Sequence, residues 1–154
     1  MLSKLLSSAA VWTGLGLASG LFYREFTRQS GFTGITQLSV AHTHAFALGT
    51  TILLVVLALT RAFSLDGDRR LRLLLLFWNG GLALTFGMML VKGSLQVLGV
   101  PFATSPMLAG ISGLGHMILA GTFVLLFLIL RRALRADAVA PAAAAPAASG
   151  LKAG

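Results

Sequence analysis

Four long apolar runs separated by short polar punctuation dominate the chain. They cover about residues 5–22, 40–59, 71–91 and 107–130. Each is close to the roughly 20 helical residues that cross a hydrocarbon core of about 30 Å. Polar side chains do not alternate with apolar ones at period two within these runs, so the pattern predicts helices. The fold class is all-α: an integral membrane four-helix bundle forming one domain over residues 1–135. After Arg135 the sequence "ADAVAPAAAAPAASGLKAG" has no apolar periodicity. Residues 136–154 are therefore expected to be a disordered Ala/Pro-rich tail. The first run has a second reading as a secretory signal, since Lys4 precedes it and "LASG" supplies small residues for cleavage. The segment "GLFYREFT" continues it without a break, which favours a helix.

Composition agrees with the pattern. Hydrophobic residues make up 56% of the 154 and charged residues 10%, with a mean hydropathy of +0.89. An ordinary soluble domain is about one quarter charged, so the bilayer is the solvent. The net charge of +8 changes the picture only through its placement. Lys4, Arg61, Arg69, Arg70, Arg72, Arg131, Arg132, Arg135 and Lys152 fall at one set of span ends, whereas Arg24, Arg28 and Lys92 fall at the other. Basic residues concentrate on the cytoplasmic side of membrane proteins, so both termini are expected in the cytoplasm. A charge distributed in this way orients the chain against anionic headgroups. It leaves no basic face for nucleic acid.

The chemistry available at membrane depth is sparse. There is no cysteine, which excludes disulfides, thiolate metal sites and cysteine nucleophiles. The four acidic residues, Glu25, Asp66, Asp68 and Asp137, lie in loops, at span ends or in the tail. No carboxylate is left inside the bilayer for proton-coupled transport or paired acid–base catalysis. What remains is Asn79, scattered Ser and Thr, and the histidines His42, His44 and His116. Ionisable residues within spans are rare and usually functional.

With both termini inside, the second and fourth spans run inward, and all three histidines start from the outer end. At 1.5 Å per residue, His44 lies about 9 Å below a helix start near Leu38, and His116 about 15 Å below one near Pro106. Residues two apart differ by about 200° around a helix. His42 and His44 therefore need different partners unless the helix unwinds. His42 shares a stripe with Ala45 and Gly49, and His44 with Leu48 and Thr51. His116 shares one with Ala109, Ser112, Gly113 and Ala120, a small-residue face expected to turn inward. The 18 glycines serve close helix packing, and those beside inward histidines also leave room for a flat macrocycle.

Neutral histidines facing one another from two helices form the axial pair of a six-coordinate b-type haem. The leading expectation is a membrane haem b protein with His116 as one ligand and either His42 or His44 as the other. Depth favours His44, and the stripe containing Gly49 favours His42. Arg24 and Lys92 at the outer interface are the cations expected to meet haem propionates. Zinc or copper bound by His42, His44 and His116 in a small membrane enzyme is a second expectation. A third is an accessory subunit without cofactor, whose histidines only join helices by hydrogen bonds. A homo-oligomer or a redox partner in the membrane is compatible with the first.

Two segments carry a family likeness. "GLFYREFTRQSGFTGITQLSVAHTHAFALG" and "GISGLGHMILAG" resemble a family of small bacterial four-span membrane proteins of unknown function, over roughly Val11 to Arg131. The resemblance implies a compact bundle in the bacterial cytoplasmic (inner) membrane and no particular activity. The shorter string "AHTHAFALG" is similar to histidine-bearing helices of the haem–copper oxidase and nitric oxide reductase superfamily. There, such histidines hold haem or metal.

Overall fold

In a computed structural model, the backbone is described for residues 1–143 and the side chains for residues 1–136. The described chain is helical and has no strand. It comprises α1 (Leu2–Gln29), α2 (Leu38–His44), a π-helical stretch (Ala45–Thr51), α3 (Ile52–Ala62), α4 (Arg69–Val97), a 3-10 turn (Pro101–Thr104) and α5 (Pro106–Ala143). The helices α2 and α3 continue one another through the π-helical stretch, so four helical rods are long and apolar enough to cross a membrane. This makes the chain a multi-pass membrane protein. All four rods overrun the apolar runs, because terminal turns extend into polar residues that carry no hydrophobic signal. The last helix passes Arg135 and reaches Ala143, as befits alanine, the strongest helix former. The disorder expected for the remainder of the tail lies outside the described residues.

The helix ends follow from local chemistry. Asp68 caps α4, its carboxylate accepting from the Arg70 N–H at 2.8 Å, as Asp does at N-caps. The rods α1 and α4 are followed by Gly31 (φ 60°) and Gly99 (φ 66°), each in the left-handed conformation that closes a helix C-terminus. In the loop before α4, Asp66 accepts from the Leu2 N–H at 3.2 Å and lies 2.8 Å from the Met1 amino group. Hydrogen bonding to that amino group holds its carboxyl below the usual carboxylate range.

α4 is the central rod: 44% of its most apolar stretch is buried, against 28% in each of the others. The second span packs between α1 and α4, while α5 leans on α4 and the 3-10 turn, without a Cα within 8 Å of the second span among the described residues. The core joining these rods contains Leu5, Ala9, Trp12, Leu53, Leu74, Trp78, Leu82 and Leu119. Polar atoms inside it are matched across helices. Trp12 Nε1 donates to Asn79 Oδ1 at 2.8 Å, and Asn79 Nδ2 donates to the Leu75 carbonyl at 2.7 Å. Trp78 Nε1 donates to the Leu48 carbonyl at 3.0 Å, while its ring meets Phe123 edge-on at 4.7 Å. One residue of α4 thereby fixes both the π-helical stretch and α5. At the opposite end, Thr36 Oγ1 donates to the Gly93 carbonyl at 2.8 Å, and the Gln37 N–H donates to Gln96 Oε1 at 2.8 Å. A Cβ on Gly93 would collide with the Leu38 backbone nitrogen, so glycine is what lets α2 start against α4.

Candidate functional site

Two close helix contacts place the histidines. The start of α2 is held on α4 at Gly93, and His44 follows Leu38 by just over one and a half turns. On α5, Gly115 seats against Thr85 and the Gly81 carbonyl of α4. His116 is the next residue, so the same seat fixes its level. The result is that the half-buried His44 and the exposed His116 lie opposite each other edge-on, with ring centroids 6.4 Å apart and planes at 81°. The Nδ1 of His44 lies 3.0 Å from the Val40 carbonyl, and the Nδ1 of His116 lies 2.9 Å from the Ser112 carbonyl. A carbonyl only accepts, so a neutral imidazole in this position carries its proton on Nδ1 and leaves a lone pair on Nε2. Among the described residues, no hydrogen bond occupies either Nε2.

His42 points elsewhere. It packs toward Gly20 of α1, where an added Cβ would lie 3.8 Å from the His42 Cβ, and meets Phe46 edge-on at 6.5 Å. Its Nδ1 is buried without a hydrogen-bond partner. The stripe that His42 shares with Gly49 faces α1, since Gly49 lies against Trp12. Helical rotation therefore separates the two neighbours as the spacing requires, one toward α1 and one toward α5. The π-helical stretch begins directly after His44, and π-helical turns recur at functional sites. Among the described residues, no three His, Asp or Glu side chains gather closely enough to hold one metal ion.

The small-residue stripe of α5 does not turn into the bundle as expected. Ala109, Gly113 and Ala120 are exposed, and a Cβ on Gly110 or Gly113 would meet nothing within 4 Å. The face against α4 is instead the stripe of Leu108, Gly115, Leu119, Thr122 and Leu126, all buried. Both stripes contain glycine, but only Gly115 opposes another small surface on α4, so close approach occurs there. The consequence is an open, small-residue surface at Gly110 and Gly113, on the same stripe as the exposed His116.

Arg24, Arg28 and Lys92 differ in their surroundings. Arg28 is paired with Glu25, its Nη2 2.6 Å from Oε2. Arg24 is largely exposed, its Nε 3.9 Å from the same carboxylate. Lys92 is half-buried one residue before Gly93 and has no carboxylate within 4.0 Å among the described residues. The seat of Gly115 on Thr85, whose Oγ1 is buried without a partner, carries no signal in the sequence beyond an ordinary glycine and threonine.

No solved structure and no curated protein matches the chain. The local likeness of Ala41–Gly49 to the haem–copper oxidase helices therefore gains no support. A family model does match, over residues 2–133. That span takes in the first three rods, most of the fourth and all three histidines, so this chain belongs to the protein family of unknown function DUF2871.

Proposed function

We propose that the protein is a membrane-embedded b-type haem protein in which His44 and His116 are the axial ligands. The single observation that carries this reading is the facing pair itself, 6.4 Å between ring centroids. Two imidazoles on opposite sides of one metal, with bonds of about 2 Å, have ring centres about 6 Å apart. Each Nδ1 is engaged by a carbonyl of its own helix, the kind of supporting hydrogen bond that orients a ligating histidine and fixes its tautomer. His44 is half-buried and His116 exposed on the bundle, so within a bilayer an Nε2 without a partner would be costly, and coordination would remove that cost. The open space at Gly110 and Gly113 gives a flat macrocycle somewhere to lie.

When bound, haem supplies a one-electron couple. With both axial positions taken by protein, none is open to a gas, so electron transfer is the role we favour. A zinc or copper centre would want a third protein ligand, and no such group of three is assembled among the described residues. The decisive experiment is the visible spectrum of detergent-purified protein, oxidised and reduced, after expression with ample haem. A low-spin haem spectrum is expected. Colourless protein would instead favour the accessory subunit, and zinc or copper without porphyrin the metal enzyme.

The orientation belongs to the same reading. Nine basic residues against three at the opposite ends put both termini in the cytoplasm and the His44–His116 pair in the outer leaflet. A reporter fused after Gly154 is expected to be active only as a cytoplasmic fusion, and periplasmic activity would reject the orientation. Lys92, and Arg24 with only a 3.9 Å contact to Glu25, are then the cations at the outer interface suited to charge-assisted bonds with propionates. Replacing both by Gln is expected to lower haem retention several-fold without shifting the low-spin spectrum; unchanged retention would remove them from the site.

A further inference from the structure

A second feature lies at the opposite end of the bundle. Between α1 and α4 runs an open groove of about 760 Å³, lined by Ser3, Lys4, Ser7, Arg72, Leu76 and Gly80 among others. Its chemistry is graded along its length. Lys4 and Arg72 line it from the first turns of α1 and α4, and Ser3 and Ser7 of α1 belong to the same lining. Neither cation has a carboxylate within 4.0 Å among the described residues, and no side-chain hydrogen bond engages those two hydroxyls there. Further in, the lining turns to Leu75, Leu76, Asn79 and Gly80. Asn79 is tied to the bundle on both sides of its amide, its oxygen accepting from Trp12 and its nitrogen donating to the Leu75 carbonyl, which leaves it one lone pair and one N–H. Gly80 leaves open space, with no atom within 4 Å of an added Cβ.

We propose that this groove binds one anionic phospholipid, its phosphate at Lys4 and Arg72 and an acyl chain along Leu76 and Gly80. Two unneutralised cations flanked by hydroxyls match a phosphate, which accepts several charge-assisted bonds. Basic pockets between membrane helices hold anionic headgroups in this way. A stretch lined by Leu75, Leu76 and Gly80, beside an Asn79 held to Trp12 and Leu75, matches a hydrocarbon tail better than a polar solute. The site is independent of the histidine pair, so neither reading falls with the other.

The test is lipid retention by the full chain, purified from vesicles of equal phosphatidylglycerol and phosphatidylcholine and weighed by native mass spectrometry. The protein is expected to retain phosphatidylglycerol several-fold over phosphatidylcholine. The double substitution Lys4→Gln with Arg72→Gln is expected to bring that ratio close to parity. Gly80→Leu, which fills the floor without changing charge, is expected to lower occupancy as well. Arg69→Gln with Arg70→Gln, outside the groove, is expected to leave the ratio intact. An unchanged ratio in the Lys4 and Arg72 variant would overturn the site. So would an equal loss in the Arg69 and Arg70 variant, which would indicate general attraction, or displacement of the lipid by inorganic phosphate or by a co-purifying quinone.

Discussion

Replacing His44 or His116 by Ala is expected to abolish the low-spin haem spectrum, leaving the protein empty or five-coordinate, whereas His42→Ala retains most of it. The asymmetry follows from placement. His44 and His116 face one another with their Nε2 atoms unengaged, whereas His42 is turned toward Gly20 and Phe46. Loss of a hydrogen bond supporting a metal ligand already costs about 10–100-fold in affinity, so loss of the ligand itself is expected to cost at least that. His42→Ala removes a buried nitrogen that has no partner. Its effect on folding should accordingly be small. Reduced-minus-oxidised absorbance of the three variants decides the matter. Identical spectra in all three, or no haem band in the parent protein, would overturn the assignment.

Gly115→Ala is expected to be the most damaging single-methyl change on α5. The added Cβ would meet Thr85 Oγ1, and beyond it the Thr85 backbone nitrogen at 2.9 Å and the Gly81 carbonyl at 3.1 Å. A hydroxyl can rotate away, but backbone atoms of α4 cannot, so α5 must shift as a rod. Overpacking of this kind costs about 1–3 kcal/mol. Because α4 is the one rod whose backbone α5 approaches closely among the described residues, little else compensates. His116 is the adjacent residue and moves with the rod, so haem retention falls together with the thermal midpoint. The matched control is Gly121→Ala, where an added Cβ meets nothing within 4 Å. There, removing a helical glycine is expected to be neutral or stabilising by about 0.5–1 kcal/mol. Equal melting and equal spectra for Gly115→Ala and the parent protein would show that the seat does not position His116.

Much of this molecule was legible in its residues because the bilayer permits few solutions. With no water to satisfy backbone groups, a spanning segment of this length is a helix, and the four apolar runs therefore fixed the number of rods. The absence of cysteine and of carboxylates at depth narrowed the chemistry to His42, His44 and His116. Helical rotation alone required His42 and His44 to face different neighbours. Two things were beyond the pattern. One was the π-helical stretch at Ala45–Thr51, which depends on contacts such as the Leu48 carbonyl accepting from Trp78. The other was which stripe of α5 packs. The Ala109–Gly113–Ala120 and Leu108–Gly115–Leu119 faces both satisfy the small-residue rule, and choosing between them needs the opposing surface of α4.

The sequence by itself determined the four rods and singled out His42, His44 and His116 as the ionisable side chains within them, because these depend on hydrophobic length and side-chain chemistry. Only the tertiary structure decided that His44 and not His42 meets His116. That outcome rests on where Gly93 admits Leu38 and where Gly115 admits Thr85, two close contacts between backbones distant in the chain that no periodicity within a single helix encodes.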